Sequence, residues 1–204
     1  RSRRQRQMCI RDRYVSRQDI ERQLPLNAVH QGLALLVAPL SHVAIETICS
    51  NASNNSVVIV LDQVTDPINI GAIMLSAVAF GASAAIVTDK YTPETTAVMA
   101  KAASGALDSL PIARVTNLTR SLVLLKKAGF WLAGLDSNAD QTIVQANLNG
   151  KLAIILGAEG SGLRRLTSQN CDYLVNIPIQ QSTDSLNVSV AASIALYEVF
   201  RNRS

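Results

Sequence analysis

Short apolar runs alternate with segments of helical periodicity from residue 57 onward. The apolar runs are rich in β-branched residues, which is typical of strands that are buried on both faces of a sheet. Strands that alternate with helices in this way indicate a parallel sheet with crossover helices. The predicted strands are 57–61, 84–88, 110–114, 130–134, 152–156 and 173–177, and all six are expected to be buried on both faces.

Several of the predicted helices begin at residues that favour a helix start. Asp66 offers a capping carboxylate directly before Pro67, and Asn117 and Ser185 are predicted to cap the third and the last helix. A weaker apolar stretch at residues 33–40 precedes the polar linker into the sheet. The predicted helices are 68–80, 95–102, 118–128, 163–169 and 186–201, with a less distinct helical pattern at 41–48.

Composition restricts the class of protein. With 204 residues, of which 48% are hydrophobic and 17% charged, the chain is long enough for one α/β domain with a short appendage. No apolar run reaches the roughly 18 residues that span a bilayer. The three cysteines show no CxxC spacing, which indicates neither a disulfide framework nor a zinc site, and Cys171 is expected to be a structural thiol. We therefore expect a soluble cytoplasmic protein without a metal or a membrane partner.

The positive charge is confined to the start of the chain. Residues 1–23 hold eight arginines and three acidic residues, a net charge of +5, whereas the remainder carries about −1. The overall net charge of +4 is therefore no evidence that the folded domain binds nucleic acid. The stretch 8–13 resembles translated sequencing-adaptor sequence, so this segment is predicted to be non-native. A basic RNA-binding arm is the alternative.

A polar amide lies at the start of the first predicted crossover helix. Asn69 falls in the first turn, close to Gly71. Backbone N–H groups and the helix dipole favour an anion such as phosphate at this position. Both residues could equally serve only to shape the turn between strand and helix, and the spacing leaves the two interpretations open.

Three glycines follow the strand at 152–156 within six residues, at Gly157, Gly160 and Gly162. Such a loop lets the backbone approach a ligand closely at the carboxyl end of a parallel strand. The GxxGxG spacing differs from the dinucleotide fingerprint, and no P-loop lysine follows it. Glu159 in this loop is either a site residue or a charge that faces water at a helix start.

Small polar residues crowd the start of the last predicted helix. Ser185, Asn187 and Ser189 stand in an otherwise apolar segment, and capping explains one of them but not all three. This segment and the two described above all follow predicted strands. They could therefore form a single pocket, although the pattern alone does not show that they do.

These segments, at 61–81, 154–163 and 175–191, resemble the three sequence motifs of the SpoU (TrmH-type) branch of RNA ribose 2′-O-methyltransferases. The resemblance covers roughly residues 28–204 and is strongest to bacterial enzymes that methylate a guanosine of 23S ribosomal RNA. It implies an α/β fold with a parallel sheet, flanking helices and a C-terminal deep trefoil knot (the SPOUT methyltransferase fold). The pattern alone predicts an ordinary doubly wound sheet without a knot.

The resemblance also implies a cofactor, S-adenosylmethionine, which is bound by backbone groups of these loops. The implied cofactor contacts are Leu156, Gly157, Ile177, Pro178 and Leu186. The implied catalytic residues are Asn69 and Glu159, which position the RNA and the loops, and Ser185 and Asn187, which organise the pocket. Transfer of a methyl group to a ribose 2′-oxygen requires alignment and deprotonation of the hydroxyl, but no metal.

One position departs from the family pattern. The family has an arginine shortly after Gly71, where this chain has Leu75. The resemblance implies that this arginine binds the target phosphate and helps to activate the hydroxyl, and leucine does neither. The alternative function is therefore a catalytically impaired member that binds cofactor or RNA without transferring methyl. A third hypothesis is a nucleotide-binding α/β module outside this family.

The resemblance further implies RNA as substrate, in particular 23S ribosomal RNA, and a homodimer whose RNA site is shared between subunits. Val188, Ala192, Ala195 and Val199 form one face of the last helix, which would serve either as a dimer surface or in the core. The expected organisation is a non-native or disordered basic segment at 1–23, the remnant of an N-terminal RNA-binding domain with a linker at 24–52, and the methyltransferase domain at 53–204.

Overall fold

The computed structural model describes residues 13–24, 28–180 and 182–203. The chain divides into two compact units, residues 1–38 and residues 39–204. In the first unit, Arg17–Glu21 form a short helix, α1, which begins at a reciprocal capping box between Ser16 and Asp19. The sequence pattern did not predict this helix. The adaptor-like stretch 8–13 lies outside the described residues except for its last position.

Seven parallel strands form one sheet in the second unit. They are β1 (Val57–Leu61), β2 (Ala84–Thr88), β3 (Ile112–Val115), β4 (Trp131–Leu135), β5 (Gln141–Thr142), β6 (Leu152–Leu156) and β7 (Tyr173–Asn176). Their order across the sheet is β3-β2-β1-β6-β4-β7-β5, and all of the pairings between these strands are parallel. The predicted parallel sheet is therefore confirmed.

Helices cover both faces of the sheet. They are α2 (Ile45–Ser50), α3 (Pro67–Ala79), α4 (Ala97–Ala103), α5 (Ala106–Ser109), α6 (Leu118–Lys127), α7 (Arg165–Asn170) and α8 (Val188–Arg201). Residues of α3, α4, α5 and α8 form one core with alternate residues of β1, and residues of α2 and α6 form the other core with the remaining residues of β1. Among the described helices, none is long and apolar enough to cross a membrane.

Burial on both faces holds for the centre of the sheet and fails at both edges, and in the edge strand β3 Arg114 is only partly buried. Every residue of β1, β2 and β6 is buried, as predicted. In β7 only Val175 is buried, so the prediction is wrong there, because β7 is flanked on one side by the two-residue strand β5. It is also wrong for Trp131, which is 50% exposed and packs against Tyr173 with their ring centroids 5.8 Å apart.

Two of the three predicted helix caps are confirmed. The Asp66 carboxylate accepts a hydrogen bond from the Ile68 backbone N–H, and Asn117 caps α6. Ser185 is not a cap, because α8 begins at Val188 and its N-cap is Asn187. The asparagine side-chain oxygen reaches the backbone N–H groups of the first turn, which a serine two residues earlier does not.

Element boundaries differ from the prediction at several other points. The predicted helix at 95–102 appears as α4 and is followed by the unpredicted α5, because Ser104 and Gly105 are both left-handed (φ 47° and 88°) and end α4. The strand predicted to begin at residue 110 begins at Ile112, and the pattern at 41–48 forms a helix only from Ile45. Strand β5 is too short for a two-residue period to reveal it.

The apolar face of α8 belongs to the core. Val188, Ala192, Ala195 and Val199 are all at most 7% exposed and pack in the same cluster as β1. Of the two alternatives for this face, the dimer surface is therefore wrong and the core is right.

Candidate active site

A cavity of about 430 Å³ lies at the carboxyl ends of β4, β6 and β7, which is the edge where open α/β sheets bind ligands. All three chemically distinctive segments contribute to this region. Of the nine predicted site residues, seven line the cavity, namely Leu156, Gly157, Glu159, Ile177, Ser185, Leu186 and Asn187. The other two, Asn69 and Pro178, are described but are not among the lining residues.

Three side chains from the three segments form one hydrogen-bonded network at the edge of this cavity. Asn69 Nδ2 donates to Glu159 Oε1 at 2.7 Å, and Asn187 Nδ2 donates to the same oxygen at 3.0 Å. Asn187 Nδ2 also donates to Asn69 Oδ1 at 3.1 Å. Asn69 therefore does not touch the cavity itself, but it holds a carboxylate that does.

Asn187 connects this network to the start of α8. Its Oδ1 accepts hydrogen bonds from the Ser189 backbone N–H at 2.8 Å and from the Ser189 hydroxyl at 2.6 Å. Because the oxygen is bound by the helix start, the Nδ2 group must point toward Glu159 and Asn69. This arrangement accounts for two of the small polar residues that capping by Ser185 left unexplained.

The glycine-rich loop is closed by its own backbone. Ala158 N–H donates to Gly162 O at 3.1 Å, and Gly162 N–H donates to Ala158 O at 2.9 Å. A Cβ at Gly157 would lie 2.1 Å from the carbonyl carbon of Gly162, closer than any two such atoms approach. Only glycine therefore permits the loop to fold back on the end of β6.

An ion pair between a buried carboxylate and a partly exposed arginine holds the other end of this loop. The Asp62 side chain follows β1, is fully buried, and accepts a hydrogen bond from Arg164 Nε at 2.7 Å. The Arg164 backbone N–H also donates to Asp62, at 3.3 Å. Arg164 lies between the glycine-rich loop and α7, so the ion pair holds the end of this loop next to the end of β1.

Sequence reasoning missed a fourth segment, which follows β4. Leu135, Asp136 and Ser137 line the cavity. The Asp136 backbone N–H donates to Val175 O at 3.0 Å, which continues the pairing of β4 with β7. A signal was available, because the run Asp-Ser-Asn-Ala-Asp follows a predicted parallel strand at its carboxyl end.

The charged side chains that line the cavity all carry the same sign. Asp136 and Glu159 are acidic, and the described lining residues include no lysine, arginine or histidine. The rest of the lining is mostly aliphatic side chains and glycine. The cavity therefore favours a ligand with an apolar body and a positive charge. Elsewhere in the described chain there is no group of three or more His, Cys, Asp or Glu that could hold a metal ion.

Leu75 lies outside this cavity. It is 40% exposed on α3 and is seven residues, about two helical turns, after the exposed Ile68. The two side chains therefore share one face of the helix. The position where the family pattern has arginine holds an exposed apolar side chain in this protein.

Cys171 behaves as a structural thiol, in agreement with the prediction. Burial, and to a lesser extent the nearby Asp172 carboxylate, raise the pKa of its thiol to about 12 against the opposing effect of Lys126. Its Sγ donates to Thr167 O at 3.3 Å. A thiol with this pKa stays protonated at neutral pH and is a poor nucleophile.

Comparison with known proteins identifies the family. The SpoU rRNA Methylase family model matches residues 56–197. A tRNA/rRNA methyltransferase of Synechocystis sp., itself uncharacterized, is 42% identical over 184 residues, which cover 89% of this chain and 48% of that protein. The 23S rRNA (guanosine-2′-O-)-methyltransferase RlmB of Pasteurella multocida is 42% identical over 194 residues, which cover 93% of this chain and 78% of that protein.

A solved structure shows the same relationship in three dimensions. The SpoU methyltransferase AviRb from Streptomyces viridochromogenes, in complex with the cofactor AdoMet, matches with a TM-score of 0.69 and 30% identity. The match covers 78% of this chain and 62% of AviRb. The chain thus spans about half the length of its Synechocystis relative and under two thirds of AviRb. Because the family model matches most of the second unit, the chain belongs to the SpoU rRNA methylase family.

Proposed function

We propose that this protein transfers a methyl group from S-adenosylmethionine to a ribose 2′-hydroxyl of RNA, with a guanosine of 23S ribosomal RNA as the target. Family membership supports the reaction, and the RlmB relative in Pasteurella multocida supports the target. The observation that carries the proposal is the Glu159 carboxylate at the edge of the cavity, held by Asn69 and Asn187. A ribosomal RNA substrate also agrees with the expected cytoplasmic location.

The cavity fits the cofactor in size and chemistry. Its volume of about 430 Å³ lies within the range of small-molecule sites, roughly 300 to 1,000 Å³. Aliphatic side chains suit the adenine ring, and the two carboxylates suit a cationic ligand. The absence of a side chain at Gly157 leaves backbone groups of the loop as the contacts. Leu156, Gly157, Ile177 and Leu186 would hold the cofactor, and Pro178 would shape the turn after Ile177.

The chain contributes orientation to the reaction. The bound cofactor supplies an electrophilic methyl group on a sulfonium. Glu159 and Asn187 lie at the cavity edge, and Asn69 lies behind Glu159, so these side chains set the position of the glycine-rich loop relative to α3 and α8. Ser185 lines the cavity next to Leu186, where its hydroxyl would meet the ribose or the cofactor. Such alignment of the reacting atoms contributes much of the rate acceleration in transfer reactions.

We further propose that the protein acts as a homodimer through an exposed apolar face on α3 and α8. The two helices pack together, and Ser76 and Ser193 are hydrogen-bonded across them at 2.7 Å. Each helix leaves exposed apolar side chains, Ile68 and Val78 on α3 and, at helical spacing, Val190, Ile194 and Tyr197 on α8. Exposed apolar side chains on two helices that pack together are typical of an interface between proteins.

Methyl transfer tests the proposed function directly. Labelled S-adenosylmethionine is incubated with a 23S ribosomal RNA transcript, and the digested RNA is analysed by nucleoside mass spectrometry. We expect 2′-O-methylguanosine. A transcript without label after incubation with protein that binds the cofactor would overturn the proposal, and label on a base would overturn the assignment of the ribose hydroxyl.

A further inference from the structure

We propose that the Asp136 carboxylate makes the cavity prefer cationic S-adenosylmethionine over its uncharged-sulfur product, S-adenosylhomocysteine. The inference rests on the proposed function of the same cavity. It assigns a specificity-determining role to a residue in the segment that sequence motifs did not mark.

Asp136 lies at the carboxyl end of the sheet. Its backbone N–H is bonded to Val175 O at 3.0 Å, which keeps it in line with the end of β7. The side chain is partly buried and lines the cavity together with Leu135 and Ser137. The position of the residue is therefore set by the sheet itself, and not by a free loop.

An Asx turn holds the carboxylate. Asp136 Oδ1 accepts a hydrogen bond from the Asn138 backbone N–H at 2.9 Å, and among the described residues this is its only side-chain hydrogen bond. The second oxygen therefore keeps its capacity to accept. Glu159, the other acidic residue of the lining, has Oε1 bound by two side-chain amides instead. Asp136 is thus the carboxylate whose charge is less engaged by the protein.

The reaction changes the charge of the ligand. When the bond between the methyl carbon and sulfur breaks, its electron pair stays on sulfur, the methyl group forms a bond to the ribose 2′-oxygen, and the proton of that hydroxyl passes to water. The cationic sulfonium becomes a neutral thioether, while the amino acid and nucleoside groups are unchanged. A nearby carboxylate therefore attracts the cofactor before transfer and loses that attraction afterward, which favours release of the product.

A single substitution separates this role from a purely structural one. Asparagine forms the same Asx turn as aspartate, so Asp136→Asn keeps the hydrogen bond to Asn138 and the size of the side chain and removes only the charge. Asp140→Asn is the matched control. It makes the same chemical change in the same loop, at an exposed residue that is not among the lining residues.

Calorimetric titration with each ligand measures the preference without any methyl transfer. We expect Asp136→Asn to weaken S-adenosylmethionine binding by about 5-fold, the size expected for one partly screened charge pair. S-adenosylhomocysteine binding should change much less, and Asp140→Asn should alter neither. Added salt should reduce the preference of the unaltered protein, because salt screens the attraction.

Two results would overturn the inference while the proposed function stands. They are equal weakening for both ligands in Asp136→Asn, and unchanged binding of both. An unaltered protein that binds neither ligand would instead overturn the proposed function of the cavity, and the inference with it. A variant that misfolds would weaken the binding of both ligands, so misfolding cannot produce the selective loss that the charge predicts. The salt dependence of the unaltered protein tests the charge without any substitution.

Discussion

The side-chain amide of Asn69 donates a 2.7 Å hydrogen bond to the Glu159 carboxylate, although the two residues are 90 positions apart. Asn187 donates to the same oxygen across 28 positions. Hydrogen bonds to an ionised acceptor are stronger than those between neutral groups. The carboxylate therefore serves as the common anchor of the three motif segments. Its removal would leave the Asn69 amide without this acceptor and Asn187 with only its hydrogen bond to Asn69 Oδ1.

Glu159→Gln should lower the rate of methyl transfer by about 100-fold, in the range seen when one group that aligns a transition state is lost. Glutamine accepts hydrogen bonds only through its oxygen and carries no charge, so it holds Asn69 and Asn187 less firmly. Single-turnover transfer measures the effect. Glu46→Gln on the exposed side of α2 is the control, and equal activity of both variants would contradict the role of the network.

Gly157→Ala should abolish cofactor binding and destabilise the protein by about 1 to 3 kcal/mol, as overpacking typically does. The added Cβ would lie 2.1 Å from Gly162 backbone, which has to move. Gly150→Ala is the control, because its φ of 74° costs about 1 kcal/mol, nothing lies within 4 Å of the added Cβ, and Gly150 is not among the residues that line the cavity. Thermal unfolding and calorimetry report both effects. Retention of cofactor binding by Gly157→Ala would mean that the loop is not the binding element.

Leu75→Arg should raise kcat/KM for RNA and leave the dissociation constant of the cofactor unchanged. The resemblance to the family implies that arginine at this position binds the target phosphate, and Leu75 does not line the cofactor cavity. Val123→Arg on α6 is the control, since Val123 is also 40% exposed. If both variants raise the rate equally, then added positive charge, and not its position, is responsible.

Ile194→Glu should dissociate the proposed dimer. Ile194 is 37% exposed in the apolar face of α3 and α8, and a carboxylate there would be buried without a partner in the interface. Sedimentation velocity measures the association. Val123→Glu, at an exposed apolar residue on the opposite face of the sheet, should leave it intact. A monomeric unaltered protein, or a dimer that survives Ile194→Glu, would exclude this interface.

Stability should fall as the pH rises above about 9, partly because of Cys171. The folded state raises the pKa of this thiol from its ordinary value of 9.0 to about 12. The stabilisation that results from this shift is fully present below pH 9 and is lost between pH 9 and pH 12. Over that range the free energy of unfolding falls by up to about 1.4 kcal/mol per pH unit. Cys171→Ser removes the titrating group, so its unfolding free energy should depend less on pH. Parallel curves for both proteins would exclude the effect.

The apolar periodicity of the chain was sufficient to predict the centre of the sheet. Residues 57–61 and 152–156 are continuous apolar runs, and the structure pairs them as neighbouring, fully buried strands. The prediction of burial was less accurate where burial depends on which other elements pack against a strand. Trp131 begins an apolar strand but is half-exposed, because burial depends on which elements cover the strand end.

The motif residues could be named from the sequence, but their contacts could not. Resemblance to the family pointed to Glu159, Asn187 and Asn69, and the structure brings them within hydrogen-bonding distance. Asp136 was missed because no motif marks it. It lines the cavity only because β4 lies between β6 and β7, an order that local periodicity does not encode. The trefoil knot stays a prediction.

The sequence by itself determined the alternation of strands and helices, the parallel sheet and the loops that carry polar chemistry, since these depend on local patterns. Tertiary structure decided whether each apolar face became part of the core or stayed on the surface. The stripe Val188, Ala192, Ala195 and Val199 is equally apolar for a core or an interface, and packing against the sheet made it core. Tertiary structure also decided where the cavity lies, because the strand order that brings its lining residues together is set by contacts between residues far apart in the chain.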